Sequence, residues 1–153
     1  MARNKAGLEK VRDECVDEGA GDVLVLPHDV GKEEECELVI EETAAYYGCI
    51  DVLVNNAGVL IRSDFTSLTM GEVDLSMQVN LKSVVKLCQT CLPYLKTSQG
   101  SVVNVSSIAG LRAYPGALAY KMSKAALDQM TRCVALEVGL DKITIVVICS
   151  CYW

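Results

Sequence analysis

The sequence is short of several residue types that common function classes require. It has a single histidine, His28, and 14 basic against 20 acidic side chains, a formal net charge of −6. One histidine argues against a histidine-rich metal site and against a Ser-His triad. The shortage of basic side chains argues against a sequence-independent nucleic-acid binder, which needs a positive face for phosphates. It also disfavours docking on an anionic membrane.

Long apolar runs and leader-like segments are also missing. The longest apolar run, residues 143–149, is far shorter than the ~20 residues that span a bilayer, so we expect no stable membrane span. The charged N-terminal segment lacks the apolar stretch of a secretory signal. The eight cysteines are scattered, and the pair Cys88 and Cys91 has no second pair at zinc-finger spacing. We therefore expect reduced thiols, no metal site and a cytoplasmic location.

Short apolar strands alternate with helices along the chain. Thr69 and Glu72 are spaced as a capping box that opens one long helix, with an interruption expected near Pro93. This alternation predicts βαβ units in an α/β fold, a doubly wound parallel sheet covered on both faces. No repeat or linker divides residues 1–153, which indicates a single domain. The predicted strands are 23–26, 52–54, 101–105 and 143–148, and the predicted helices are 4–18, 31–47, 69–96 and 115–139.

Polar motifs follow three of these strands. His28 and Asp29 come after the first, the NNAG of residues 55–58 after the second, and Ser106 with Ser107 after the third. Ligands of doubly wound sheets bind at the carboxyl ends of the strands. We therefore expect these motifs to border one binding region.

Tyr120 and Lys124 are one helical turn apart, and Ser107 lies thirteen residues before Tyr120. A neighbouring ammonium favours a phenolate, which makes a tyrosine usable for proton transfer, and a serine at a strand end could hydrogen-bond a substrate oxygen. Taken alone, the tyrosine and lysine are also compatible with an ordinary helix surface. Asn80, inside a predicted helix, is either solvent-facing or functional.

The order of these motifs resembles the short-chain dehydrogenase/reductase family, from about residue 3 to about residue 145. The resemblance implies a Rossmann-like sheet, a nicotinamide cofactor and hydride transfer between a small-molecule carbonyl and a secondary alcohol. The motifs that carry it are LPHDV (26–30), IDVLVNNAG (50–58), MQVNLKS (77–83), SVVNVSSIAG (101–110) and YKMSKAAL (120–127).

The same resemblance implies the roles of individual residues. Tyr120 would be the acid/base, Lys124 would favour its phenolate and hold the nicotinamide ribose, and Ser107 would orient the carbonyl. Asn80 would position a water in a proton relay. The cofactor would meet Arg3 at the 2′-phosphate, Asp29 and Val30 at the adenine, and Asn55, Ala57 and Gly58 along its length. Because a basic rather than an acidic residue stands at position 3, NADP is favoured over NAD.

The sequence departs from the family pattern at both ends. It has no G-x-x-x-G-x-G phosphate turn, and after DKITIVV it reads ICSCYW where the family continues towards an Asn and a Pro-Gly. We therefore expect an incomplete sheet, without the first strands and the C-terminal strand, and weak or absent cofactor binding.

Three functional hypotheses follow. One is an NADP-dependent oxidoreductase, and the alternative is a truncated, inactive family member that acts at most as an interaction module. A third, another Rossmann-like enzyme such as a methyltransferase, is disfavoured by the Ser–Tyr–Lys spacing. In family dimers the helices at 69–96 and 117–138 pair between subunits, so the resemblance implies a homodimer or homotetramer.

Overall fold

A computed structural model describes residues 1–150, and Cys151 with the two residues after it lies outside the described residues. In chain order the helices and strands are α1 (Lys5–Asp17), α2 (Glu33–Tyr47), β1 (Val52–Asn55), α3 (Met70–Met77), a π-helical turn (Gln78–Lys82), α4 (Ser83–Ser98), β2 (Ser101–Ser107), a 3-10 turn (Ile108–Gly110), α5 (Leu118–Val138), a 3-10 turn (Gly139–Asp141) and β3 (Thr144–Ser150). From β1 onwards strands and helices alternate as the sequence predicts, but α1 is followed directly by α2.

The strands form a parallel sheet in the order β1-β2-β3, which confirms the α/β class. Val52 is paired with Ser101, and Ser101 with Thr144. Helix α2 packs on α4, while α5 packs on β2 and β3. Because parallel strands run in one direction, the carboxyl ends of all three lie at one edge of the sheet.

Local sequence signals set where the helices begin. The side chain of Asn4 accepts a hydrogen bond from the Gly7 amide and caps α1. Thr69 and Glu72 form the predicted capping box at the start of α3, each side chain bonding the other's backbone amide. Such caps satisfy amides that lack a partner within the helix.

The prediction of a strand at residues 23–26 is wrong. Within residues 1–150 this segment has no regular secondary structure and joins no sheet. Its Leu24 amide donates instead to the Tyr47 hydroxyl at 2.9 Å. A strand needs a neighbour to complete its hydrogen-bond ladder, and β1 does not pair with this segment. Val52 and Val54, whose side chains point to the same face of β1, are 56% and 57% exposed, so this face of the sheet is not covered as predicted.

The prediction that the long helix is interrupted near Pro93 is also wrong. Helix α4 continues through Pro93. Pro93 and Gln89 are both exposed, so water can bond the Gln89 carbonyl that proline leaves without an amide partner. The helical pattern changes instead at the π-helical turn Gln78–Lys82, which contains Asn80.

Three buried thiols in the core predict that the protein loses stability in alkali. Burial raises the pKa of Cys36, Cys88 and Cys91 from 9.0 to about 11. The folded chain therefore keeps protons that the unfolded chain loses above pH 9, and stability falls as pH rises from 9 towards 11. At about pH 10 each thiol should lower the unfolding free energy by about 1.4 kcal/mol relative to neutral pH.

Urea unfolding over a series of pH values measures this loss. The double variant C88A/C91A should lose less stability between neutral pH and about pH 10 than the unmodified chain, whatever its stability at neutral pH. C133A removes an exposed thiol and should leave the pH dependence unchanged. An equal alkaline loss in C88A/C91A would contradict the assignment.

Candidate active site

The end of β2 and the first turns of α5 enclose a small cavity of about 190 Å³. Ser107 reaches it from the strand, and Tyr120 and Lys124 reach it from the helix. The structure therefore brings together the three side chains whose spacing suggested acid–base chemistry. The cavity is lined by Asn56, Gly58, Val105, Ser106, Ser107, Tyr120, Lys124 and Ser150.

The ammonium of Lys124 is held between strand and helix. Its Nζ donates to the Val105 carbonyl at 2.7 Å and lies 5.7 Å from the centroid of the Tyr120 ring. Lys124 is 5% exposed, and this burial lowers its pKa, against the opposing effect of the charge on Asp128. A cation placed here favours negative charge on a phenol oxygen nearby.

Ser107 is oriented by the turn that follows it. Its Oγ accepts a hydrogen bond from the Ala109 amide at 3.2 Å and so caps the 3-10 turn Ile108–Gly110. Because the hydroxyl is an acceptor in that bond, it keeps its own proton for donation. A carbonyl oxygen in the cavity is a suitable acceptor.

Asn80 is not solvent-facing: it is fully buried, at 0% exposure. Its Oδ1 accepts from the Val59 amide at 2.8 Å, and its Nδ2 donates to the Val59 carbonyl and to Ser123 Oγ, each at 2.9 Å. The π-helical turn, a rare geometry that is frequent at functional sites, presents Asn80 in this way. Asn80 thereby joins the loop after β1 to α5.

Gly58 lies between Asn80 and Lys124. A Cβ at this position would lie 3.2 Å from Asn80 Oδ1 and 3.9 Å from Lys124 Nζ. A side chain here would therefore crowd Asn80 and fill space beside Lys124. Glycine leaves the backbone open to a ligand.

A second, larger cavity of about 900 Å³ adjoins the first, and both include Asn56 and Gly58 in their walls. Arg3 lies on its rim, 3.9 Å from Asp29 Oδ2 and largely exposed, so this ion pair is weak. Six predicted cofactor-binding residues line this cavity, whereas Tyr120 and Lys124, which were also predicted to bind the cofactor, line the smaller one; the six are Arg3, Asp29, Val30, Asn55, Ala57 and Gly58.

The side chain of Asn55 is turned into the protein. Its Nδ2 donates to Asn104 Oδ1 at 2.8 Å and to Cys88 Sγ at 3.5 Å. Asn104 in turn donates to Thr131 Oγ1 at 2.9 Å. This amide therefore ties β1 to β2, α4 and α5 below the cavity floor.

Sequence reasoning missed Lys121. Its Nζ donates to the carbonyls of Tyr114 and Gly116 and lies 3.4 Å from the centroid of the Tyr114 ring, and burial lowers its pKa. Lys121 thus anchors the loop that precedes α5, next to Tyr120. The sequence carried no signal, because a lysine on a helix normally indicates a solvated face.

Asn56 and Ser150 were missed as well. Asn56 could have been found from its place in NNAG, since Asn55, Ala57 and Gly58 were selected from the same motif. Ser150 ends β3, the strand that pairs with β2 in parallel, so its place follows only from the sheet order. In the part of the chain from residue 1 to residue 150, no helix is long and apolar enough to cross a membrane.

Comparison with known proteins places these features in a family. The family model described as short chain dehydrogenase matches residues 1–153. The chain is 35% identical to 11-beta-hydroxysteroid dehydrogenase-like 2 of Arabidopsis thaliana, covering 95% of this chain and 48% of that protein. It is 38% identical to 2-(R)-hydroxypropyl-CoM dehydrogenase of Xanthobacter autotrophicus, covering 77% and 49%. The chain thus spans about half the length of these curated relatives.

Solved structures agree with this assignment. A short-chain dehydrogenase/reductase of unknown function from Caenorhabditis elegans, crystallised with cofactor, matches with a TM-score of 0.91 and 33% identity over 97% of this chain and 57% of that one. A short chain dehydrogenase from Mycobacterium smegmatis matches with a TM-score of 0.91 and 30% identity over 98% and 64%. The chain belongs to the short-chain dehydrogenase/reductase family of oxidoreductases.

Proposed function

We propose that this chain carries the active site of an NADP(H)-dependent oxidoreductase that interconverts a carbonyl and a secondary alcohol. The observation that supports this most strongly is that Ser107, Tyr120 and Lys124 line one cavity. An acid/base, a cation and a hydrogen-bond donor around one small space suit a reaction in which a proton and a hydride are added to a C=O group.

The adjoining cavity fits a nicotinamide cofactor. Its volume is about 900 Å³, in the range of cofactor and ligand sites, and Gly58 lets a ligand approach the backbone where the two cavities meet. When bound, the cofactor supplies the hydride in reduction and accepts it in oxidation. The residues that would hold it are Arg3 at a 2′-phosphate, Asp29 and Val30 at the adenine, Asn55, Ala57 and Gly58 along its length, and Lys124 at the ribose.

In the direction of reduction, Tyr120 donates its phenol proton to the carbonyl oxygen, and in oxidation the phenolate takes that proton back. Lys124 favours the phenolate electrostatically because its ammonium lies beside the ring. Ser107 donates a hydrogen bond to the same substrate oxygen. Asn80, fixed beside Gly58, positions a water in the relay that returns a proton to Tyr120.

The relatives' names are consistent with this substrate class. The printed names 11-beta-hydroxysteroid dehydrogenase-like and 2-(R)-hydroxypropyl-CoM dehydrogenase each specify a hydroxyl group as the feature acted on. We extend to this chain only that shared chemistry, a hydroxyl-bearing carbon and its carbonyl counterpart.

Titration of the chain with NADPH and NADH, followed by nicotinamide fluorescence, tests the proposal. We expect weak saturable binding that favours NADPH. R3Q should lower the affinity for NADPH about tenfold and leave that for NADH unchanged, because only NADPH carries the phosphate that Arg3 would meet. R12Q, which removes a half-buried arginine of α1 that does not line the cavity, is the matched control. A folded chain with no saturable binding would favour the alternative, an inactive member that acts through interactions.

We also propose a cytoplasmic, reducing location and a homodimer or homotetramer. The cysteines within residues 1–150 are all free thiols, as in a reducing compartment. Leu136 in the last turn of α5 and Leu140 in the 3-10 turn that follows are highly exposed, which favours association through this end of the helix.

A further inference from the structure

Asp128 on α5 is a buried carboxylate that the proposed reaction does not use. It is 3% exposed, and neither of its carboxylate oxygens has a hydrogen-bond partner among the residues described, 1–150. Burying a carboxylate without hydrogen bonds is costly unless an opposite charge compensates it. Asp128 forms no direct ion pair within residues 1–150, so a compensating cation acts on it over a longer distance.

Lys124 is one helical turn before Asp128, so the two residues lie on the same face of α5. The carboxylate also packs against the turn that follows Ser107. A Cβ at Gly110 would lie 2.8 Å from Asp128 Oδ2 and 2.9 Å from the carbonyl carbon of Lys124. Asp128 is thus enclosed beneath the Ile108–Gly110 turn, on the helix face that carries Lys124.

Within residues 1–150, the other groups around Lys124 bring it no negative side chain. Tyr120 is the ionisable group that faces it from its own helix. The elements packed against it contribute uncharged groups: Val105 and Ser107 from β2, Ser150 from β3, Gly58 from the loop after β1 and Asn80 from the π-helical turn. Burial lowers the pKa of Lys124, and Asp128 is the charge that raises it.

We propose that Asp128 is a positioning residue of the active site, a buried carboxylate that keeps Lys124 in its charged form for the proton transfer at Tyr120. The proposal rests on the proposed function, because it assigns Lys124 a role as a cation. Without the carboxylate, Lys124 would be an ammonium in a poorly solvated site with the Val105 carbonyl as its main support. It would then lose its proton at lower pH and favour the phenolate less.

Competitive labelling of lysines with acetic anhydride, read by mass spectrometry of the Lys124 peptide across a pH series, tests this in the intact chain. In D128N the labelling profile of Lys124 should move to lower pH, with labelling at about pH 9 rising several-fold, to about tenfold at most. D128E should restore the original profile because it restores the charge. E137Q, the same loss of charge at an exposed position of α5, should not move the profile. An unmoved profile in folded D128N would overturn the proposal.

A second measurement covers the case in which D128N does not fold. Adding K124M removes the buried cation, so the double variant D128N/K124M should recover the circular-dichroism signal and melting transition that D128N lacks. Failure of K124M to restore folding would overturn the proposal. Neither measurement needs cofactor or substrate, so a failure here is distinct from the failure of NADPH binding or turnover that would reject the proposed function.

Discussion

Replacing Tyr120 by phenylalanine should lower kcat by about 10²- to 10⁴-fold in a form of the protein that reduces a carbonyl. The phenylalanine ring keeps the shape of the side chain in the cavity it shares with Ser107 and Lys124, but it carries no proton to donate. The larger cavity does not include Tyr120 in its walls, so the affinity for NADPH should change little. Steady-state kinetics and nicotinamide fluorescence on the same preparation measure the two effects.

Tyr46 supplies a matched control for this experiment. It is an exposed tyrosine on α2, outside the walls of both cavities, and Y46F should leave kcat within about twofold of the unmodified protein. Activity of Y120F within about tenfold of the unmodified protein would reject Tyr120 as the acid/base. Loss of cofactor affinity together with kcat would instead assign Tyr120 a binding role.

Replacing Asn80 by alanine should lower the unfolding free energy by about 3 kcal/mol or more. The substitution removes one buried and two part-buried hydrogen bonds and leaves the Val59 amide and carbonyl without their side-chain partner, while the Ser123 hydroxyl keeps its bond to the Tyr120 carbonyl. Because Val59 follows Gly58, the same change should loosen the wall shared by the two cavities. Urea unfolding measures the loss.

N80D tests the hydrogen bonds of Asn80 at nearly constant side-chain volume, and K82A is the control. N80D keeps an acceptor for the Val59 amide but replaces the donor that bonds the Val59 carbonyl, so we expect it to be destabilised too. K82A, an exposed position of the same π-helical turn, should change stability by no more than about 0.5 kcal/mol. A loss below about 1 kcal/mol in N80A would contradict the account of this network.

Local signals made part of the fold predictable. Thr69 and Glu72 predicted the start of α3, because a capping box depends on two residues three positions apart. Residues 23–26 are more apolar than residues 101–105, yet only the second segment became a strand, since a strand depends on neighbours that are distant in sequence. The π-helical turn escaped prediction because its residues, QVNLK, suit an ordinary α-helix.

The active-site cluster was predictable for a similar reason. Ser107 ends a strand, and Tyr120 and Lys124 share one face of the following helix, so sequence spacing already limits where they can lie. Lys121 and Asp128 were not predictable, because the loop carbonyls that Lys121 bonds and the turn that covers Asp128 are brought to α5 only by the fold. Only the folded chain shows that these two charged residues face inwards.

The π-helical turn also has a consequence for the phase of the helices it joins. A π-helical turn holds about one residue more than an α-helical turn, and one residue corresponds to a rotation of about 100° around a helix axis. Deleting one residue between Gln78 and Lys82 would give an unbroken α-helix. The side chains of α3 would then be rotated around the helix axis relative to those of α4. The apolar stripe of α4 could still face α2, yet the amide of Asn80 would no longer point at Val59. The extra residue therefore lets one continuous helix pack against α2 and still bond Val59 through Asn80.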